Sequence, residues 1–200
     1  MGSCKTKWMA AAWLTAVIAF QSHAFEILAL GTSNTNCKNA SQAYTAKLNQ
    51  QLSKQGIGGH VINGGVDGDK PAWMLNRLKT ALANTPDVKI VIFEPGPNER
   101  SKKWNLEPSA EILDYLKVQN IPAMYVSHSL LQTEDEAAEF AKAHGAHYYG
   151  HWNKGVPTDR EHRQYDQPGS PGHMTVLGCE RWADNLFPVL EKLIKDFALQ

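Results

Sequence analysis

The chain has 200 residues, 42% hydrophobic and 20% charged, a composition that supports one globular domain with a real core and excludes a disordered chain. Lys plus Arg and Asp plus Glu both number 20, so the formal net charge is zero, and no block of Lys or Arg stands out. Nucleic acid is therefore not expected as a partner, because phosphate binding needs clustered cations.

The first 24 residues differ from the rest. Lys5 and Lys7 make a positive start, Met9 to Phe20 carries no charge, and Ser22-His23-Ala24 puts small residues at the −3 and −1 positions of a cleavage site. This is the pattern of a secretory signal peptide cut near Ala24. The uncharged run is shorter than the about 20 residues a spanning helix needs, so no stable membrane span is expected in the mature chain. The expected product is a periplasmic or secreted protein, with residues 25–200 as a single domain and a net charge of −2 after loss of Lys5 and Lys7. Cys4 leaves with the leader. Cys37 and Cys179 remain, and an oxidising compartment makes a disulfide between them the expectation, against two buried free thiols.

Glu26 to Leu30 reads as a first, central strand. Ala40 to Gln55 reads as a helix with Tyr44, Leu48 and Leu52 on one face, stopped by Gly56. Val61 and Ile62 mark a second strand, which runs into the glycine-rich turn Asn63-Gly64-Gly65-Val66-Asp67-Gly68-Asp69. Pro71 suits a helix start, and Met74, Leu75, Leu78 and Leu82 follow at helical spacing. Lys89 to Phe93 is the strongest strand, continuous and β-branched, so buried on both faces. It ends in Glu94-Pro95-Gly96-Pro97-Asn98-Glu99. A helix at Ala110 to Val118, a strand at Pro122 to Val126, an acidic-fronted helix at Glu134 to His144 and a short strand at Ala146 to Tyr149 complete the alternation. A long polar loop, Gly150 to Pro171, then leads to a last helix from about Thr175, which Pro188 should kink or restart. Strands alternating with helices imply a parallel sheet covered on both faces, with its site at the carboxyl ends of the strands.

Three of those ends are marked by Ser33, Gly64-Gly65 and Asn98. Ser33 sits in a tight polar turn after the first strand and is the candidate nucleophile. A serine needs a base beside it, and His173, in a Pro/Gly loop before the last helix, is the candidate. The amides of Ser33 and Gly65 and the Asn98 side chain are candidate oxyanion donors.

These blocks resemble those of the SGNH (GDSL-like) hydrolases: Gly31-Thr32-Ser33-Asn34 for the family's Gly-Asp-Ser, Asn63 to Asp69 for N-A-G-x-S-G-D, Gly96-Pro97-Asn98-Glu99 for G-x-N-D, and the pre-helix His173. The resemblance spans nearly the whole mature chain. It implies a flavodoxin-like three-layer α/β/α sandwich with a parallel sheet of about five strands. It also implies an esterase, lipase or thioesterase with Ser33 as nucleophile, His173 as base, and Ser33, Gly65 and Asn98 around the oxyanion. No cofactor and no metal are implied, and the substrate would be a small-molecule, glycan or lipid ester. The oligomeric state is not legible.

Two departures stand out. Thr32 replaces the family's Asp after the first glycine, and Ser170 replaces the catalytic Asp expected three residues before His173. Asp166 is the nearest candidate to orient His173, with Asp159 also in the loop. A solvated loop carboxylate is the plainer reading of Asp166, and a backbone carbonyl could orient a Ser–His dyad instead. The missing acid keeps a second class open: a binding or accessory domain that has the fold but not the turnover.

Other candidates have plainer readings beside them. His144, His147 and His151 could suggest a metal, but Gly145 and Gly150 interrupt the helix that would align them. Cys37 as a thiol nucleophile competes with its own disulfide. Trp73, Trp104 and Trp152 could line a substrate pocket or simply pack. His128 could face the site or end a strand.

Overall fold

The structure, a computed structural model, describes residues 25–40, 42–99, 105–166 and 171–199. The leader of residues 1–24, Trp104 and Ser170 lie outside the described residues.

Five strands, β1 (Phe25–Gly31), β2 (Gly59–Gly65), β3 (Val88–Phe93), β4 (Ala123–Ser127) and β5 (His147–His151), alternate with α1 (Ala43–Lys54), α2 (Pro71–Asn84), α3 (Glu107–Val118) and α4 (Glu134–Ala143). The chain ends in α5 (Val176–Asp196). All strand pairs are parallel, in the order β2-β1-β3-β4-β5. This is the flavodoxin-like order, in which the chain leaves β1 on one side for β2 and returns on the other for β3. The expectation that the first strand is the central one is corrected: β3 lies at the centre with β1 beside it, because the reversal of winding after β2 puts β3 on the far side of β1.

The alternating sides of the strands feed two separate cores. Ile27, Ala29, Ile90, Ile92, Met124 and Val126 pack under α1 and α5, together with Tyr44, Leu48, Leu52, Trp182, Leu186 and Leu190. Leu28, Leu30, Val91, Phe93 and Tyr125 face the other way, against Met74 and Leu78 of α2, Ile112, Leu113 and Leu116 of α3, and Ala137 and Ala141 of α4. Residues one apart in a strand point to opposite faces, so this division follows directly from the period of two.

Local chemistry accounts for the element ends. Thr133 and Glu136 close a capping box on α4, and Thr175 accepts from the Gly178 N–H at the start of α5. On the outer edge of β2, the Asn49 side chain imitates a strand. Its Oδ1 accepts from Val61 N–H at 2.6 Å and its Nδ2 donates to Val61 O at 3.0 Å. That pairing blunts an edge otherwise open to association.

Two further expectations are corrected. The first helix begins at Ala43 rather than Ala40, because Cys37, Asn39 and Gln42 have positive φ and make successive turns after Ser33. Pro188 does not interrupt α5, which runs unbroken to Asp196. Pro188 is exposed, while Trp182, Leu186, Leu190 and Leu193 form one buried stripe across it. Packing on both sides of the proline holds the helix together despite the lost backbone bond.

Candidate active site

The polypeptide leaves β1 at Gly31 and turns at once. Thr32 O accepts from Asn36 N–H at 2.9 Å, Asn34 O from Cys37 N–H at 3.1 Å, and Ser33 O from Lys38 N–H at 3.0 Å. Ser33 is carried on this compact turn at the β1/β3 switch point, with a relative exposure of 9%. Ligands in open α/β sheets bind at such a crevice.

His173 arrives from the far end of the chain. Its Nε2 lies 2.9 Å from Ser33 Oγ, across 140 residues of sequence. Its Nδ1 lies 2.6 Å from Asp166 Oδ2, and its backbone N–H donates to Asp166 Oδ1 at 3.1 Å. Asp166 is exposed, yet its carboxylate is bonded to His173 at both oxygens. With Nδ1–H donating to that carboxylate, Nε2 is left to accept the Ser33 hydroxyl proton. Burial raises the Asp166 pKa, but hydrogen bonds from the His173 ring and backbone outweigh it and hold the carboxyl below its usual value.

A short antiparallel pairing brings acid and base together. Arg163 bridges to Met174, Gln164 N–H donates to His173 O at 2.7 Å, and Gly172 N–H donates to Gln164 O at 2.8 Å. Gln164 Nε2 also reaches Lys38 O at 2.6 Å, tying this arm to the segment just after Ser33. Arg163, only 4% exposed, donates to Gly172 O at 2.6 Å and to Pro171 O at 3.2 Å, and lies 4.9 Å from the Trp152 ring centre. Sequence reasoning missed Arg163 and Gln164. Nothing local distinguishes them from other polar loop residues.

The Cys37–Cys179 disulfide is formed and joins the turn after Ser33 to α5 just after His173. Closing a loop this long is worth about 5 kcal/mol on the chain-entropy model.

The candidate oxyanion donors divide. Gly65 belongs to the β2 turn, but its N–H already donates to Asn63 Oδ1 at 2.8 Å. A Cβ there would come within 2.3 Å of Asn36 N, so Gly65 is needed for close backbone approach rather than as a free donor. Asn98 is half-buried, and one Nδ2 hydrogen goes to Asp69 O at 2.9 Å. Asp69 in turn is held by Arg77, whose Nε and Nη2 reach Oδ2 at 2.8 and 2.5 Å while Nη1 reaches Gly64 O at 2.8 Å. Among the described residues, no acceptor takes the N–H of Ser33 or of Gly68. Gly68, at φ 76°, makes the turn between Val66 and Asp69.

The remaining candidates have structural places. His144 bonds Asp114, His151 Nε2 donates to Gln132 O, and His147 lies against Phe197, so the three do not converge. Asp159, Glu161 and His162 do converge, but Asp159 Oδ1 already takes the backbone N–H groups of Glu161 and His162 and the His162 ring. Trp152 is buried between His128 and Trp182, and is core rather than pocket lining. Trp73 is 58% exposed at the start of α2, with Lys70 over its ring. Among the described residues, no helix is long and apolar enough to cross a membrane.

No protein-family model and no curated protein sequence matches the chain. Solved structures do. TesA superposes with a TM-score of 0.71 at 19% identity, covering 84% of this chain and 99% of that one. The psychrotrophic esterase EstA from a Pseudoalteromonas species, inhibited by monoethylphosphonate, gives 0.71 at 14% identity over 85% and 98%. AlinE4, an SGNH-hydrolase family esterase, gives 0.61 at 24% identity over 85% and 96%. The chain has the SGNH-hydrolase fold. At these identities the likeness establishes the architecture alone.

Proposed function

We propose that the protein is an exported SGNH-type serine hydrolase that cleaves a carboxylic ester. The observation that carries this reading is the unbroken hydrogen-bonded line Ser33–His173–Asp166, with distances of 2.9 and 2.6 Å. A nucleophile, a base within reach of it and an acid that fixes the base's tautomer are the parts acyl transfer requires.

In this reading Ser33 Oγ attacks the ester carbonyl while His173 Nε2 takes its proton. Asp166 stabilises the imidazolium and stays ionised. His173 then gives the proton to the departing alkoxide, leaving acyl-Ser33. Water, deprotonated by the same imidazole, releases the acid. The oxyanion is held by the Ser33 N–H and the second Asn98 Nδ2 hydrogen, since the Gly65 amide is already bonded to Asn63 Oδ1. Glycan, lipid or small-molecule esters all fit this chemistry. The disulfide supports an oxidising compartment, in keeping with a leader cleaved near Ala24.

The binding-domain alternative rested on the missing acid three residues before His173. Asp166 now stands against the imidazole, which removes its main motive. Fluorophosphonate labelling of the mature protein, read by intact mass and peptide mapping, tests the proposal. The expected result is one adduct on Ser33 that is absent in Ser33→Ala and His173→Ala. A folded protein that takes no adduct would overturn the hydrolase reading.

A further inference from the structure

One carboxyl group under the site has no part in the Ser33–His173–Asp166 line. Glu94 directly follows β3 and is 1% exposed. Among the described residues, its side-chain hydrogen bonds all go to the turn that carries Ser33. Oε2 accepts from Thr32 N–H at 3.1 Å, from Thr32 Oγ1 at 2.7 Å and from Thr35 Oγ1 at 3.3 Å, while Oε1 accepts from Asn34 Nδ2 at 3.1 Å. The residues on both sides of the nucleophile are thus tied to one side chain, which stands just after the neighbouring strand β3. The Glu94 backbone N–H adds a bond to Leu30 O at 2.9 Å, the last residue before Gly31.

We propose that Glu94 is a positioning residue for the nucleophile: its carboxyl holds Thr32, Asn34 and Thr35 so that Ser33 Oγ stays at hydrogen-bonding distance from His173 Nε2. The inference rests on the hydrolase reading above and deepens it. The physical case is one of satisfied groups and rigidity. The Thr32 and Asn34 donors are buried, and a buried donor without an acceptor costs about 1–3 kcal/mol. Several bonds to one rigid carboxyl meet that need and leave the turn a single conformation. A turn lacking them has several ways to bond its own backbone, and most move Ser33. Displacement of a reacting atom by about 1 Å can cost about 100-fold in rate. The sequence carries the signal in K-I-V-I-F-E: an acid directly follows a strand whose last four residues are buried. Thr32, where the resemblance leads one to expect Asp, spares Glu94 a second carboxylate against it.

The experiment compares wild type, Glu94→Gln and Glu94→Leu in the rate of Ser33 labelling by a fluorophosphonate and in turnover of p-nitrophenyl acetate. Folding is checked by circular dichroism. Glu94→Gln keeps an amide oxygen that can accept from Thr32, and Glu94→Leu keeps only bulk. The expected result is a loss of more than tenfold in labelling and kcat for Glu94→Leu, with KM within twofold of wild type. Glu94→Gln should lie at least threefold closer to wild type. A folded Glu94→Leu protein that labels within tenfold of wild type, or a Glu94→Gln protein no better than Glu94→Leu, would overturn the proposal. Should Glu94→Leu fail to fold, Thr32→Val and Asn34→Ala decide together: the first removes the 2.7 Å hydroxyl bond to Glu94 along with the 3.3 Å bond that Thr32 Oγ1 accepts from Asn34 N–H, and the second removes the 3.1 Å bond from Asn34 Nδ2 to Glu94 while leaving its own backbone N–H in place. A fivefold slower labelling in both supports the role, while wild-type labelling in either overturns it. Absence of labelling in the wild type is a separate outcome. It would remove the hydrolase reading, and the Glu94 role with it.

Discussion

Asp166 holds His173 at two points, the ring through Oδ2 to Nδ1 at 2.6 Å and the backbone through Oδ1 to the His173 N–H at 3.1 Å. The second bond fixes where the residue sits and the first fixes which way its ring faces. Asp166→Asn keeps the shape, but its amide group either donates towards Nδ1 or faces the backbone N–H. Labelling of Ser33 and ester turnover are expected to fall by about 100- to 10,000-fold, with little change in thermal stability. Asp159→Asn, in the same loop but bonded to His162, is expected to leave both rates within about threefold. Equal effects from the two variants would contradict the assignment.

The disulfide couples stability to the site. Cys37 follows Ser33 by four residues and Cys179 follows His173 by six. Replacing both cysteines by serine is expected to cost about 2–5 kcal/mol in denaturant unfolding. Reduction of the wild type should lower its melting temperature towards that of the double variant. Labelling should also slow, because the turn and the His173 arm lose a covalent link. Two titratable thiols in the native, non-reduced protein would refute the bond.

A pH dependence follows from His128. Burial first, then the charges of His151 and Arg163, lower its pKa from 6.5 to about 4. Its Nδ1 accepts from Leu130 N–H at 3.1 Å, a bond only the unprotonated nitrogen can accept. The unfolded chain takes up a proton near pH 6.5 and the folded chain does not until about pH 4, so this contribution is full above pH 6.5 and declines as the pH falls to 4. The loss is about 3 kcal/mol across that window. Urea unfolding of wild type and His128→Asn at pH 7.5, 6 and 4.5 checks it: the variant should show a shallower fall.

Asn98→Ala tests the oxyanion donors. Removing one such donor costs about 100- to 1000-fold in turnover, and the loss of its bond to Asp69 O is expected to lower stability by only about 1 kcal/mol. Gly65→Ala behaves differently. Its Cβ meets Asn36 N at 2.3 Å, so the expected result is lower yield and melting temperature rather than a folded, slow enzyme. A stable Gly65→Ala protein with turnover lowered 100-fold would return the donor role to Gly65.

The sequence by itself determined the alternation of strands and helices and the sheet edge where the chemistry sits. It also made Cys37 and Cys179 the expected disulfide pair, which the structure joins. Those features rest on local periods, on turn composition and on the count of cysteines beyond the first 24 residues. Tyr44, Leu48 and Leu52 lie on one helix face whatever the rest of the chain does. Ser33, His173 and Asn98 could be singled out because each stands in an unusual turn at a strand or helix end. Only the tertiary structure decided which groups meet. Asp166 looked like a loop acid because it lies seven residues before His173, and a hairpin held by Arg163 and Gln164 had to form before the two could face one another. Glu94 gained its partners across 59 to 62 residues, through a strand register that no local pattern encodes. The Gly65 amide was lost as a donor to a side chain two residues away, a choice set by how the β2 turn packs on Asn36. Pro188 was outweighed by the buried stripe around it. In each case the deciding energy comes from contacts between distant segments, which exist only once the sheet has brought those segments together.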